Sequence, residues 1–348
     1  MVKKIAVLVI LGLMLLVIST SWGRTNGSMQ SALRGADVGG NIAYARAGAI
    51  WVYSGGNSKQ LTAGPKDAQD KRDAFPAFSP DGTQLVYTRI DEGFSDLYKL
   101  SLDNPKNVTE LTDNRPSVPV GQVEQPGVTD GYNTQALWAD YPAWSPNGEE
   151  IAFTSDVGTE YPNLRIITPD QSTKAAGEKL AGGLDFSVQT VERLSWSPTG
   201  KKIAASNYVT DGRVGQIWSY DISAEKWTAL TNSKDGAYDP AWSPDGKWIA
   251  FAMREGTATN IYVINTDVTT WTGDYPTPLQ LTIDGASRSP AWSPDGTQLA
   301  YVTLKDVSFD LYAGAFALDA GNTPALDASR KLTDNATIDA PSGLSWGR

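Results

Sequence analysis

Histidine and cysteine, the side chains that most often serve as general base and thiolate nucleophile, are absent from the 348-residue chain. One motif survives a search for nucleophiles. Gly343-Leu344-Ser345-Trp346-Gly347 has the spacing of the G-x-S-x-G nucleophile elbow. It is read as a decoy: no histidine can serve Ser345, and the three residues after it leave no room for a strand–turn–helix. Carboxylates remain. Asp140, Asp239 and Asp339, with Glu192, stand just upstream of a recurrent aromatic motif, and Phe75, Tyr141 and Tyr238 stand beside them. If the fold brings these residues together, they form an anionic, aromatic-rimmed mouth suited to a cation or to a peptide with a basic or aromatic residue. The competing reading is that the carboxylates cap backbone amides or pair with Arg193 and Arg288.

The elements that would position them are written in a repeat. It reads FPAFSPDGTQLVY from Phe75, YPAWSPNGEEIAF from Tyr141, RLSWSPTGKKIAA from Arg193, DPAWSPDGKWIAF from Asp239 and SPAWSPDGTQLAY from Ser289. The copies lie about 50 residues apart, the period of a propeller blade. Within each copy, Pro-Ala-Trp-Ser is a short extended run. Ser-Pro-Asp-Gly is a turn, with φ preset by Pro and a positive φ accepted by Gly. The apolar run that follows is the next strand. A second signature, polar–aliphatic–aromatic, marks a third strand at Asp96-Leu97-Tyr98, Gln216-Ile217-Trp218, Asn260-Ile261-Tyr262 and Asp310-Leu311-Tyr312. A Leu-Thr pair (Leu111-Thr112, Leu230-Thr231, Leu281-Thr282, Leu332-Thr333) is read as the fourth strand. The Trp positions are read as inter-blade packing, not as a ligand cage.

The two ends complement each other. Asn41-Ile42-Ala43-Tyr44 matches a second strand, and the stub Gly343 to Gly347 matches only a first. The predicted fold is therefore all-β: a six-bladed β-propeller of four-stranded antiparallel blades over 41–348, its ring closed by the C-terminal strand joining the N-terminal blade. The repeat resembles the WD40-like repeat of TolB-type six-bladed propellers, which also builds the propellers of prolyl-oligopeptidase-like enzymes. The resemblance covers Asn41 to Arg348. It implies an envelope-associated binding module. Related six-bladed lyases use His-rich metal sites, which this chain cannot build. A carboxylate-only calcium site, as in lactonase-type propellers, is compatible with the composition, although no compact Asp-x-Asp-x-Asp-Gly loop occurs; no other cofactor is expected.

Residues 1–23 read as a secretory signal. Lys3 and Lys4 precede an apolar stretch, Ile5 to Ile18, and Ser21-Trp22-Gly23 offers a small–x–small cleavage pattern. An uncleaved anchor is the alternative. Residues 24–40 read as a flexible leader. The expected location is extracytoplasmic, periplasmic or cell-envelope, with no stable membrane insertion once the signal is removed. The formal net charge of −10 becomes −12 without Lys3 and Lys4. Nucleic acid is a poor partner for such a surface, and a cationic protein or peptide fits it better. The expectation is a monomeric, non-enzymatic propeller that binds a protein or peptide through the variable loops of one face, including the insertion 115–140. The alternative is a metal-dependent carbohydrate- or lactone-processing enzyme using channel carboxylates.

Overall fold

Each Ser-Pro-Asp-Gly segment closes on itself through its own side chains. Ser79 Oγ donates to Asp81 Oδ1 at 2.5 Å and accepts from the Gln84 N–H at 2.9 Å. Gly82 sits at φ 73°, where a side chain would be strained. The same Ser-centred lock recurs at Ser145, Ser197, Ser243 and Ser293. These turns join the first and second strand of a blade and set their register.

The computed structural model describes residues 38–64, 71–114, 138–157, 162–170, 178–179, 190–208 and 214–348. The proposed signal (1–23), most of the leader and residues 115–137 of the insertion lie outside the described residues. The propeller is the compact unit Gly39–Arg348. Blade one opens with β1 (Asn41–Arg46), β2 (Ala49–Ser54) and β3 (Asn57–Gln60). Blade two is β4 (Arg72–Phe78), β5 (Gln84–Asp91), β6 (Phe94–Ser101) and β7 (Val108–Glu110), and blade three β8 (Ala139–Trp144), β9 (Ile151–Ser155), β10 (Asn163–Ile167) and β11 (Glu178–Lys179). Blade four is β12 (Thr190–Trp196), β13 (Lys202–Tyr208), β14 (Gly215–Asp221) and β15 (Lys226–Ala229). Blade five is β16 (Ala237–Trp242), β17 (Trp248–Glu255), β18 (Ala258–Asn265) and β19 (Leu279–Gln280). Blade six is β20 (Ser287–Trp292), β21 (Gln298–Lys305), β22 (Ser308–Leu318) and β23 (Pro324–Lys331). Last, β24 (Leu344–Gly347) pairs antiparallel with β1, placing Trp346 opposite Ile42, so blade one has the sheet order β24-β1-β2-β3. Six four-stranded antiparallel sheets result, and the ring is closed by the two chain ends together.

The core lies between blades. Ala43, Ile50 and Val52 of blade one pack on Phe78, Leu85 and Tyr87 of blade two, and Trp248 of blade five packs with Trp292, Tyr301 and Tyr312 of blade six. The repeat tryptophans bridge the seams. Trp144, Trp196 and Trp292 donate their Nε1–H to the carbonyls of Ala77, Ala143 and Ala241 in the preceding blade. Where the alanine is replaced by Ser195 or Ser345, its hydroxyl instead accepts the backbone N–H of Trp242 or Phe78.

The Leu-Thr pairs do not form the fourth strand. The strand ends just before them, and the threonine clasps the blade. Thr112, Thr231, Thr282 and Thr333 each accept, at 2.9 Å, the N–H of the second residue of the third-strand signature. All four hydroxyls donate onward to the polar first residue of that signature: Thr112 to Asp96 at 2.8 Å, Thr231 to Gln216 at 2.8 Å, Thr333 to Asp310 at 3.0 Å and Thr282 to Asn260 at 3.4 Å. Buried polar groups are thereby satisfied. The polar residue of the signature is thus a structural acceptor.

Candidate binding site at the channel mouth

The first strand of each blade is the innermost, and its free edge faces the central channel. Proline, which has no N–H to offer a neighbour, suits such an edge. Just before it the strand breaks register. In blades two to six the pairing of first with second strand shifts by a bulge. The residues at the break, Phe75, Tyr141, Arg193, Asp239 and Ser289, all have φ between 52° and 57°. Gly343 of blade one is the sixth, at φ 75° and ψ 177°. The sequence suggested only an extended run here, because bulky residues rarely adopt a left-handed backbone. The bulge turns the five side chains of blades two to six toward the axis.

They line a small cavity of about 80 Å³ at one end of the channel. The next ring inward consists of Pro76, Pro142, Leu194, Pro240, Pro290 and Leu344. Beyond it the channel widens to about 370 Å³ on the side of the Ser-Pro-Asp-Gly turns, lined by the same repeat residues from every blade. The narrow end therefore carries six different residues, whereas the wide end is nearly symmetric.

Arg193 organises the narrow end. Its guanidinium carbon lies 5.1 Å from the Phe75 ring centroid and 5.2 Å from that of Tyr141, and the two rings are 4.3 Å apart. A Cβ added to Gly343 would meet Arg193 Nη1 at 2.5 Å. Blades four and one are opposite in the ring, so the side chain crosses the axis. Its Nε is 3.6 Å from Asp239 Oδ1. The other oxygen of Asp239 accepts from Arg288 Nη2 at 3.2 Å and from Ser289 Oγ at 3.1 Å. Burial alone would raise the Asp239 pKa, but Arg193, Arg288 and Ser289 outweigh it and hold the carboxyl below the usual range. Asp239 is ionised and charge-compensated.

The other sequence-predicted residues fall elsewhere. Asp140, Glu192 and Tyr238 are one position upstream of the lining ring. Asp140 Oδ1 accepts from Ser95 Oγ of blade two at 2.9 Å. Burial, with Asp156 and Glu192 adding to it, pushes its pKa up to about 6 against the Ser95 hydrogen bond. Burial likewise raises Glu192, against the pull of Arg193. Tyr238 lies against Tyr208, ring centroids 6.3 Å apart. Asp339 precedes a 3-10 turn and accepts from Ser342 Oγ at 2.5 Å; Gly343, not Asp339, holds the blade-one place in the ring. Sequence reading overlooked Gly343 as a lining residue. Aligning GLSWG with RLSWS residue by residue sets Gly343 against Arg193 and was the available signal.

A lactonase-like metal site at the mouth would need carboxylate oxygens turned to the axis. Among the residues lining it only Asp239 is a carboxylate, and two arginines and a serine hydroxyl already engage it. This donor set does not suit a metal ion.

No family model matches the chain. Over 205 residues, 58% of the chain, it is 28% identical to the uncharacterized peptidase YuxL of Bacillus subtilis, of which it covers 24%. Over 73 residues, 20% of the chain, it is 41% identical to the Tol-Pal system protein TolB of Francisella tularensis, of which it covers 16%. The chain thus matches a quarter or less of these curated relatives. Among solved structures, TolB from Acinetobacter baumannii aligns with a TM-score of 0.62 at 18% identity, over 90% of this chain and 67% of that one. The fold is that of TolB-type six-bladed propellers.

Proposed function

We propose that this TolB-like propeller is an extracytoplasmic binding module that takes a protein or peptide partner on the face bearing the narrow channel mouth. The observation that carries the reading is the asymmetry of that mouth: Phe75, Tyr141, Arg193, Asp239, Ser289 and Gly343 differ from blade to blade, whereas the opposite end repeats one motif. A repeated motif serves the fold, and a ring of unlike residues in the same backbone position serves recognition. Phe75 and Tyr141, their rings tilted 47° to each other beneath Arg193, supply an amphipathic anchor of the kind enriched at interface hot spots. The same face carries Ile283 and Val307, 90% and 87% exposed. A net charge of −10 favours approach of a cationic partner, while the charge-compensated mouth provides the short-range contact. Tyr141 of the mouth, and Tyr208 beside Tyr238, stay neutral phenols, Tyr208 with a pKa pushed up to about 12 by burial.

The test is cross-linked capture from the source cell envelope with the full chain and with a Phe75→Ala/Tyr141→Ala variant whose thermal midpoint matches the parent. One dominant partner, lost in the variant, supports the reading. A partner retained undiminished places recognition away from the mouth. Hydrolysis or lyase turnover of a sugar or lactone panel would favour an enzymatic reading instead.

A further inference from the structure

Among the described residues, two arginines lie over a pair of aromatic rings, and only one of them has its fork filled. In blade two the guanidinium carbon of Arg89 is 4.6 Å from the Tyr98 ring centroid and 5.6 Å from that of Tyr87. Its Nε donates to Asp73 Oδ1 at 2.7 Å and its Nη2 to Asp73 Oδ2 at 3.1 Å. Two parallel bonds to one carboxylate are the pairing that a planar guanidinium favours. At the channel mouth Arg193 repeats the arrangement over Phe75 and Tyr141, but no carboxylate occupies its fork.

The carboxylate beside Arg193 is turned to other donors. Asp239 Oδ2 accepts from Arg288 Nε and Nη2 and from the N–H and Oγ of Ser289. Its Oδ1 stands 3.6 Å from Arg193 Nε, beyond hydrogen-bond reach. Glu192 has the Tyr208 hydroxyl as a partner. The Arg193 guanidinium therefore stands at the axis with its N–H groups donated to none of the described residues, although a planar fork of five donors is available. Two guanidinium groups converge on the single carboxylate that lines the mouth. The cavity in front of them, about 80 Å³, admits several water-sized groups at roughly 10–15 Å³ each, enough for a carboxylate and the carbon that bears it. The proline and leucine ring narrows the channel just beyond, so the group that enters is a chain end or a side-chain tip.

We propose that the mouth takes hold of its partner by a carboxylate, seated in the fork of Arg193 as Asp73 is seated in the fork of Arg89, with Phe75 and Tyr141 against the apolar part of the same residue. The inference rests on the binding role proposed for the mouth and names the group that the mouth receives. Two sources present that group: the C-terminal residue of a peptide, and an aspartate or glutamate side chain. The acidic surface acts at longer range and favours a partner that is cationic overall, while the carboxylate is its local anchor. An ammonium tip would have to approach Asp239 Oδ1 past Arg193 and Arg288, both of which repel it.

The full chain is titrated with four probes by ligand-observed NMR: N-acetylphenylalanine, its amide, N-acetylaspartic acid α-amide and phenethylamine. We expect one of the two acids to bind with a dissociation constant of about 10⁻³ M, ordinary for a ligand of this size. The first acid carries a C-terminal carboxylate and the second a side-chain one, so the tighter of the two identifies the source. The phenylalanine amide and phenethylamine should bind at least about tenfold more weakly than the tighter acid, since neither can fill the fork. Arg193→Lys keeps the charge without the fork and should weaken the acid about tenfold. Gly343→Ala keeps the guanidinium but crowds Nη1, should weaken the acid as well, and covers the case in which Arg193→Lys does not fold. Excess acid should also reduce capture of the envelope partner. A partner captured through Phe75 and Tyr141 yet unaffected by either acid refutes the carboxylate and leaves the binding role standing. An acid that binds through Arg193 with no partner captured supports the carboxylate site and counts against the binding role. No binding of either acid, equal binding of the amide or the amine, or undiminished binding in the folded variants overturns the proposal.

Discussion

Asp140 and Asp239 are both acidic residues beside the same bulged strand position, yet their environments drive them in opposite directions, and pH separates them. Asp140 has its pKa pushed up to about 6 by burial. Its protonated form is favoured in the fold, so its contribution is complete below about pH 4 and is lost as pH rises through about 6. Asp140→Asn should therefore stabilise the protein above pH 6 by roughly 2 kcal/mol and make no difference near pH 4, read as midpoint shifts across the range. Asp239 is held below the usual carboxylate range. Its contribution is present above about pH 4 and is lost as pH falls through its lowered pKa. Arg193→Met leaves Arg288 as its charged partner, and we expect a loss of about 2 kcal/mol at pH 7 that shrinks toward pH 3. Gly343 carries a third prediction at this scale. Its backbone lies in a region almost reserved for glycine, so Gly343→Ala should cost about 1–3 kcal/mol and displace Arg193 from the axis.

In the elements, the Thr clasp decides how a blade ends. The fourth strand of blade five is only Leu279–Gln280, too short to hold by pairing alone. Thr282 compensates by accepting the Ile261 N–H in the buried seam. Thr282→Val keeps the shape and strands that donor, and should cost about 1–3 kcal/mol in denaturant unfolding. The sequence announced Leu-Thr as a feature of most units, Leu180-Ala181 departing from it, but not its role, because a threonine in a β-rich context satisfies a strand expectation equally well. The bulge was hidden for a related reason. Four of its five residues precede proline, which favours an extended backbone for them, and the left-handed turn becomes visible only where β4, β8, β12, β16 and β20 pair with their neighbours.

Across the whole molecule, closure rests on β24. Its pairing with β1 and its Trp346, which donates to the Gly39 carbonyl at 2.8 Å, join the two ends of the propeller. Deleting residues 343–348 exposes the edge of β1 and uncovers Phe78, whose N–H is held by Ser345. The truncated protein should lose cooperative unfolding and self-associate through the freed edge, which sedimentation would detect.

By itself, the sequence determined the blade count, the turn chemistry, the aromatic seams and the way the ends complement each other. These are local or periodic properties: a Ser-Pro-Asp-Gly lock needs only neighbouring residues, and a repeated tryptophan must meet the same environment in each blade. Tertiary structure alone decided what stands at the axis and at the clasp. Arg193 meets Phe75, Tyr141, Asp239 and Gly343 because four other blades bring those residues to one point, and Asp96 lies within 4.8 Å of Glu110 and Asp113 because two outer strands bring them together. Charge compensation depends on such meetings. The carboxylates are plain in the chain, but which of them has a cation beside it is settled only when the ring closes.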